Sequence, residues 1–139
     1  MKISFDFDDT LSRKSVQNVA KELIARGDEL HIVTSRYEDS TRWGSFNLQW
    51  AMSGNKDLFR VTDHLGIKRE NIHFMDMQDK TVFFLENPDF IVHIDDNKHE
   101  FDTINSETTI PCVLCDAGQE WQKPFRKITN LLEVQENVD

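Results

Sequence analysis

The sequence has no long apolar run and few positive charges, and both shortages exclude classes of protein. No apolar run approaches the roughly 20 residues that a membrane-spanning helix needs, and the chain begins with a predicted strand instead of a signal peptide. The 16 basic residues are outnumbered by 25 acidic ones, for a formal net charge of −9, whereas proteins that grip the nucleic-acid backbone need a basic face. We therefore expect a cytoplasmic protein whose partner is neither a membrane nor a nucleic acid.

Cysteine is also scarce, since only Cys112 and Cys115 are present. A Cys-x-x-Cys pair can be a redox motif or half of a zinc site, but a zinc site needs a second pair of ligands. This pair lies in a predicted strand, where side chains three residues apart point to opposite faces. We therefore expect reduced thiols with a structural role.

Strands and helices alternate along the 139 residues. Strands are predicted around Ile3 and Phe5 and then over residues 30–36, 71–75, 90–94 and 110–114. Helices are predicted over residues 16–24, 43–50, 58–65, 81–86, 98–105 and 121–133. Because the strands are apolar along their length, they predict a parallel sheet that is covered on both faces. The expected fold is one α/β domain over residues 1–139, with a three-layer Rossmann-like arrangement and a mainly parallel five-stranded sheet.

Three aspartates follow the first strand: Asp6, Asp8 and Asp9. Carboxylates this close resist ionisation unless a cation or strong hydrogen-bond donors offset their charge. A calcium-binding EF-hand loop is excluded, because it needs Gly and Glu where this chain has Leu11 and Gln17. An acidic turn that caps the next helix is a second interpretation. We favour a metal and phosphate site because polar residues follow the other strands as well.

Those polar residues are predicted to meet at one edge of the sheet. In open parallel α/β sheets, ligands bind beyond the carboxyl ends of the strands, where the strand order reverses. The groups at those ends are Asp6, Asp8 and Asp9, then Thr34, Ser35 and Arg36, then Asp79 and Lys80, then Asp95 and Asp96. The sequence therefore predicts a single site at this edge.

These groups suit the transfer of a phosphoryl group. Asp6 would attack phosphorus and carry the phosphoryl group as an acyl phosphate that water later cleaves. Asp8 would protonate the departing oxygen and then take a proton from that water. The Thr34 hydroxyl would hold phosphoryl oxygens, and Lys80 would neutralise the charge that Asp6 shares with the phosphate.

A magnesium ion is the expected cofactor, because it prefers oxygen ligands. The predicted metal-binding residues are Asp6, Asp95, Asp8 through its backbone carbonyl, and Asp96 through water. Without a cation, so many carboxylates would repel a dianionic substrate. We predict that Thr10, Ser35 and Arg36 bind the substrate.

The order of these motifs resembles the haloacid dehalogenase-like (HAD) hydrolase superfamily. An apolar strand followed by Asp-x-Asp-x-Thr covers residues 5–10, and an apolar strand followed by Thr covers residues 32–34. A lysine that opens a helix is Lys80, and an apolar strand followed by Asp-Asp covers residues 91–96. The resemblance spans about residues 1–116.

The resemblance also implies a type of reaction. Members of the superfamily that cleave carbon–halogen bonds lack an acid at the position of Asp8, whereas phosphatases and phosphomutases have it. Mutases generally rely on a sizeable cap domain, but about two dozen residues separate Thr10 from Thr34, which is room for one helix. The resemblance thus implies a phosphatase with no large cap domain. Its open site would suit large substrates or closure by a partner subunit, as in a homodimer.

The leading hypothesis is a Mg²⁺-dependent phosphomonoester hydrolase that acts on a nucleotide or another small phosphomonoester. One alternative is a HAD-fold binding or regulatory module that has lost turnover, which the intact Asp6, Asp8, Thr34 and Asp95 disfavour. Another alternative is a polynucleotide end phosphatase, which the acidic charge disfavours.

Four other residues near the strand ends are weaker candidates. Arg42, like Arg36, would contact the part of the substrate that is not transferred, and His99 would touch the substrate. Lys98 offers a second cation near the site. His93 is expected to pack in the core instead of acting as an acid or base.

Overall fold

The computed structural model describes residues 1–38, 54–115 and 122–136. The strands are β1 (Lys2–Phe5), β2 (Glu29–Thr34), β3 (Ile72–Phe74), β4 (Phe90–Asp95) and β5 (Cys112–Leu114). The helices are α1 (Lys14–Ala25), α2 (Lys56–Leu65), α3 (Lys80–Glu86), α4 (Lys98–Glu107) and α5 (Gln122–Glu136). A short turn, Phe7–Leu11, links β1 to α1, and a 3₁₀ turn, Arg69–Asn71, precedes β3.

The five strands form one parallel sheet in the order β3-β2-β1-β4-β5. The chain moves outward from β1 to β3 and then returns to the other side of β1, so the order reverses between β1 and β4. The predicted three-layer α/β fold is confirmed. The reversal places the carboxyl ends of β1 and β4 beside each other, where ligands bind in such sheets.

One face of the sheet packs against α1, α2 and α5. Residues Val16, Val19, Ala20 and Leu23 of α1 recur at helical spacing and are buried. The other buried residues of this core are Ile3, Phe5, Phe7, Leu11, Leu30, Ile32, Leu58, Leu65, Ile67, Ile72, Val92, Ile94, Val113, Cys115, Ile128 and Leu132.

The opposite face packs against α3 and α4. Its core is smaller and richer in aromatic residues, and it contains Val33, Phe83, Phe84, Phe90, Ile104, Ile110 and Cys112. The rings of Phe83, Phe84 and Phe90 contact one another with centroids 5.2 to 5.7 Å apart. Two buried polar side chains also lie on this face, Ser4 of β1 and His93 of β4.

Helix ends follow the glycine signals in the sequence. Gly66 caps α2 in the left-handed conformation, with φ +79°, and Gly27 follows α1 with φ +97°. A residue with a Cβ is disfavoured at such angles. These glycines therefore set the points at which the chain turns back into β2 and toward β3.

The element bounds differ from the predictions mainly at their ends. Strand β2 stops at Thr34 and β5 begins at Cys112, so both are shorter than predicted, while α4 continues to Glu107. The predicted helix over residues 43–50 lies outside the described residues. No helix in the described ranges combines the length and apolarity needed to cross a membrane.

The two cysteines lie on opposite faces of the sheet, as the spacing predicts. Cys112 belongs to the aromatic core beneath α3 and α4, whereas Cys115 belongs to the core beneath α1 and α5. Both are free thiols. Burial raises the pKa of Cys112 well above its ordinary value and that of Cys115 to about 11. Neither is therefore a reactive thiolate near neutral pH.

Two histidines face each other at the edge of the sheet. His31 Nδ1 lies 3.0 Å from His73 Nε2, and His31 Nε2 lies 2.8 Å from Glu29 Oε2. Burial, with repulsion from His31 and Lys2, lowers the pKa of His73 to about 4. In the unfolded chain this pKa returns to about 6.5, so the unfolded state binds more protons between these values.

We therefore predict that the unfolding free energy is highest above about pH 6.5 and falls as the pH is lowered toward 4. His73 should account for about 1–2 kcal/mol of this loss, less than the full shift implies, because its ring is partly exposed. Urea unfolding of His73→Gln should show a flatter pH profile, whereas the exposed control His64→Gln should follow the unmodified protein. Identical slopes for His73→Gln and the unmodified protein would contradict this prediction.

Candidate metal and phosphate site

The first two carboxylates of the site are placed by neighbouring strands. Phe5 pairs with Ile94 in the parallel ladder, and the Asp6 backbone N–H donates to the Ile94 carbonyl at 2.8 Å. Asp6 therefore leaves β1 beside Asp95, the last residue of β4. Asp6 is 6% exposed and Asp95 is fully buried.

A lysine from α3 bridges these two carboxylates. Lys80 Nζ lies 2.8 Å from Asp6 Oδ1 and 2.7 Å from Asp95 Oδ2. Lys80 is the first residue of α3 and is only 1% exposed. Its backbone N–H, which no helical carbonyl can satisfy, donates to Glu100 Oε2 at 3.2 Å. The first residue of α3 is thus fixed against α4, and its ammonium group lies between the two carboxylates.

The turn after β1 places a hydroxyl group between the first carboxylate and a third one, Asp96. Asp9 adopts a left-handed conformation with φ +57°, which reverses the chain. The Thr10 hydroxyl then lies 3.2 Å from both Asp6 Oδ2 and Asp96 Oδ1. The side chain of Thr10 therefore links the acids that follow β1 and β4.

The three acids Asp6, Asp95 and Asp96 can place one oxygen each within 4.8 Å of one another. Within the described ranges, this is the only cluster of three or more carboxylate, histidine or cysteine ligands with such spacing. Carboxylate oxygens are the ligands that Mg²⁺ prefers. The donor chemistry of the cluster therefore fits a hard divalent cation.

The charge balance of the cluster also fits a cation. One ammonium group, Lys80, faces three carboxylates. Burial raises the pKa of Asp6 well above its ordinary value, and the charge of Asp95 adds to this effect while Lys80 opposes it. Burial would also raise the pKa of Asp95, but Lys80 and a hydrogen bond from His93 hold it below its ordinary value. A bound cation would favour the ionised form of Asp6.

His93 supports Asp95 from inside the sheet. His93 is fully buried, as predicted for a core residue, but it also lies in a polar chain. Its Nε2 is 2.8 Å from Asp95 Oδ2, and its Nδ1 is 2.7 Å from the Ser4 hydroxyl. The other oxygen of Asp95 accepts from the Asn97 N–H at 3.0 Å. These contacts fix the orientation of the Asp95 carboxylate.

The carboxyl end of β2 lies on the other side of β1. Thr34 is fully buried, and its Oγ1 accepts from the Arg36 N–H at 3.2 Å. Because the oxygen accepts this bond, its own hydrogen can be donated to a ligand. The Ser35 carbonyl accepts from the N–H of Met77, at 2.8 Å. The loops after β2 and β3 are thus tied together at this edge.

The predicted acid Asp8 is bound by an arginine. Arg36 Nε lies 3.0 Å from Asp8 Oδ2, and Arg36 Nη2 lies 2.7 Å from Asp8 Oδ1. Both carboxylate oxygens are therefore engaged, and Asp8 is outside the cluster of three acids. Only the backbone carbonyl of Asp8, the atom that we predict to bind Mg²⁺, remains for the metal site.

The structure thus separates the predicted residues into two groups. Asp6, Thr10, Lys80, Asp95 and Asp96 contact one another directly. Asp8, Thr34 and Arg36 form an adjoining group.

The weaker candidates have other contacts. Lys98 is exposed and its Nζ lies 2.9 Å from Asp102 Oδ1 of its own helix, whereas the Nζ of Lys80 contacts Asp6 and Asp95. His99 Nε2 lies 3.6 Å from Asp79 Oδ1 near the start of α3. Arg42 lies outside the described residues.

The sequence reasoning missed three supporting residues. His93 and Asp95 alternate on one strand, so a period-two pattern could have placed both on one face. Asn97 Oδ1 accepts from the Glu100 N–H at 3.1 Å, and this Asn-x-x-Glu spacing is a recognisable start of a helix. Asp57, which binds Arg36, has no such local signal because its contact depends on how α2 packs.

Comparison of the chain with protein-family models, with curated proteins and with solved structures found no match. The interpretation of the site therefore depends on its geometry and on the sequence motifs.

We predict that Lys80→Met destabilises the fold by about 3–5 kcal/mol, because it leaves two buried carboxylates without their shared cation. Lys98→Met is the matched control, and since it removes an exposed ion pair, it should cost less than about 0.5 kcal/mol. Urea denaturation of both variants would measure the difference. Equal stabilities would mean that the Lys80 contacts contribute no more than a surface ion pair.

Proposed function

We propose that this chain is a Mg²⁺-dependent phosphomonoester hydrolase that works through an aspartyl-phosphate intermediate. The observation that carries the proposal is the Lys80 ammonium held between Asp6 and Asp95, with Asp96 completing a cluster of three acids. A nucleophilic carboxylate next to a buried cation and a cation-binding cluster is the arrangement that such a reaction needs. The HAD-like order of the motifs supports the same function.

The metal would be held by Asp6, Asp95 and Asp96. When bound, Mg²⁺ would supply positive charge that offsets the repulsion between these acids and a phosphate dianion. Lys80 supplies a second, permanent positive charge, since its neighbouring carboxylates raise its pKa in spite of burial. Lys80, Asp6 and Asp95 are buried, and electrostatic attraction between buried groups is stronger than in water.

In the first step, an Asp6 carboxylate oxygen forms a bond to phosphorus while the bond from phosphorus to the leaving oxygen breaks. Asp8, two residues along the turn, gives its proton to that oxygen, so the alcohol leaves neutral. Lys80 and the Thr10 hydroxyl, which contact the two oxygens of Asp6, hold the nucleophile in one orientation.

In the second step, water attacks phosphorus and the bond from phosphorus to Asp6 breaks. Asp8 takes a proton from the water and is thereby protonated again. Inorganic phosphate is released and the Asp6 carboxylate is regenerated. The Thr34 hydroxyl, at the adjoining strand end, would donate to phosphoryl oxygens in both steps. Over the two steps, Asp6 and Asp8 return to their starting forms, and the products are the alcohol and inorganic phosphate.

The substrate class that fits best is a small phosphomonoester, with nucleotides among the candidates. The chain between the turn and β2 forms only α1, so it contributes no cap over the site. The net charge of −9 disfavours a polynucleotide substrate. The proposed substrate is therefore a small phosphomonoester or a larger molecule whose terminal phosphate enters the site.

We predict that the unmodified protein releases inorganic phosphate from p-nitrophenyl phosphate when Mg²⁺ is present and not when EDTA removes it. Asp6→Asn should lower kcat by at least about a thousandfold, because it removes the nucleophile. Asp102→Asn, an exposed change of the same chemistry on α4, should retain activity. No phosphate release from nucleotides, sugar phosphates or phosphorylated DNA ends would argue against a phosphatase.

A second candidate is a module that binds metal or phosphate without turnover, and the contact of both Asp8 carboxylate oxygens with Arg36 is compatible with it. Calorimetry distinguishes the two candidates. We predict that Mg²⁺ binds to the unmodified protein and that Asp96→Asn weakens this binding at least about tenfold, whereas Asp102→Asn leaves it unchanged. Magnesium binding without phosphate release on the whole panel would support the binding module.

A further inference from the structure

The hydrogen-bond donors of Arg36 are all engaged by protein groups. A guanidinium group has five N–H donors. Nε and Nη2 bind Asp8, Nη1 and Nη2 bind Asp57 at 2.8 and 2.9 Å, and Nη1 also reaches Asn55 Oδ1 at 3.4 Å. Those five contacts leave no donor for a phosphate. Arg36 is therefore placed to bind the protein and not the substrate.

Burial makes this arrangement rigid. Arg36 is 3% exposed, and its guanidinium carbon lies 5.0 Å from the centre of the Phe7 ring. A buried guanidinium needs paired charges, because losing its hydration is costly. Asp8 and Asp57 supply two negative charges, and the same contact holds the pKa of Asp57 below its ordinary value.

Two separate elements hold Arg36 in place. Its backbone N–H is bonded to Thr34 Oγ1 at the end of β2, and Asp57 belongs to the first turn of α2. Asn55, the residue before α2, donates to the carbonyls of Tyr37 and Glu38 at 3.1 and 3.2 Å. The start of α2 is thereby fastened to the chain that follows β2, with Arg36 between them.

Asp8 is the exposed end of this network. Its side chain is 43% exposed, whereas that of Arg36 is 4% exposed. An ionised carboxylate has about four acceptor positions, and the bidentate contact with Arg36 occupies one on each oxygen. The remaining positions of Asp8 can therefore exchange a proton with a ligand while the arginine fixes its orientation.

We propose that Arg36, held by Asp57, is a positioning residue that fixes the Asp8 carboxylate for proton transfer to and from the substrate. This inference rests on the proposed phosphatase function and assigns roles to two residues outside the metal cluster. Arg36 acts only through Asp8 and does not contact the phosphate. Its loss therefore slows the first step most for substrates whose leaving oxygen needs a proton, and it slows the second step, in which Asp8 takes a proton from water, equally for every substrate.

The test compares two substrates of similar shape, phenyl phosphate and p-nitrophenyl phosphate. The p-nitrophenolate group leaves readily without a proton, whereas phenolate depends more on a proton donor. Because kcat/KM reports the first step and not the shared second step, losses are compared as kcat/KM: Arg36→Gln should lower it by about a hundredfold for phenyl phosphate and by less than about tenfold for p-nitrophenyl phosphate. Asp8→Asn should show the same selectivity, and the double variant should be no slower than Asp8→Asn alone.

A milder variant covers the case in which Arg36→Gln fails to fold. Asp57→Asn keeps the Arg36–Asp8 pair and loosens its anchor, so kcat/KM for phenyl phosphate should fall by about three- to tenfold with the same selectivity. Arg26→Gln, which removes an ion pair with Asp28 at the other end of β2, should stay within about twofold of the unmodified protein.

Three results would overturn the inference. A rise in KM with unchanged kcat in Arg36→Gln would mean that Arg36 binds substrate. Equal losses on both substrates, or additive losses in the double variant, would mean that it does not act through Asp8. Failure of the unmodified protein to release phosphate from either substrate would instead refute the proposed function and the inference with it.

Discussion

The architecture of the site depends on one buried ammonium group. Lys80 lies between two buried carboxylates that would otherwise repel each other. Attraction over less than 3 Å offsets the loss of hydration only if all three groups are held in place. Two neighbouring strands hold the acids, the start of α3 holds the lysine, and Glu100 on α4 holds that start. The parallel sheet order is what brings these elements together.

Two acids from one turn are given different surroundings. Asp6 is enclosed by Lys80, Thr10 and the strand β4, whereas Asp8 extends to Arg36 and remains partly exposed. The left-handed Asp9 lets the chain reverse directly after them. In the proposed reaction, Lys80 and a bound cation would favour the ionised form of Asp6 that a nucleophile needs, whereas the partly exposed Asp8 would exchange protons with a departing alcohol and with water.

Much of this arrangement follows from patterns along the chain. Apolar strands alternating with helices predict the parallel sheet, and the rule that ligands meet the carboxyl ends of the strands places Asp6, Lys80 and Asp95 at one edge. The choice between Lys80 and Lys98 is settled by packing, because both precede or open a helix near this edge. Lys80 points inward at the start of α3, and Lys98 pairs with the next turn of its own helix.

What the sequence could not predict are contacts set by the angle at which elements pack. Arg36 has two acidic partners, one of which, Asp57, lies 21 residues further along the chain. The sequence pattern between them does not determine where α2 packs, so it does not predict this contact. A short polar stretch after a strand therefore predicts that Arg36 lies at the carboxyl ends of the strands. It does not predict which groups bind Arg36 there.

The position of β4 also has a consequence for how the protein is made. Ser4 and His93, which contact each other beneath the site, are 89 residues apart in the sequence. A ribosome exposes β1, β2 and β3 long before β4, so a nascent chain has only one of the three clustered acids, Asp6, and none of the neighbours that β4 gives to β1. Such distant pairing slows folding, because a long loop must close before its contacts form. During synthesis, β1 therefore remains an open edge until the carboxyl-terminal third of the chain arrives.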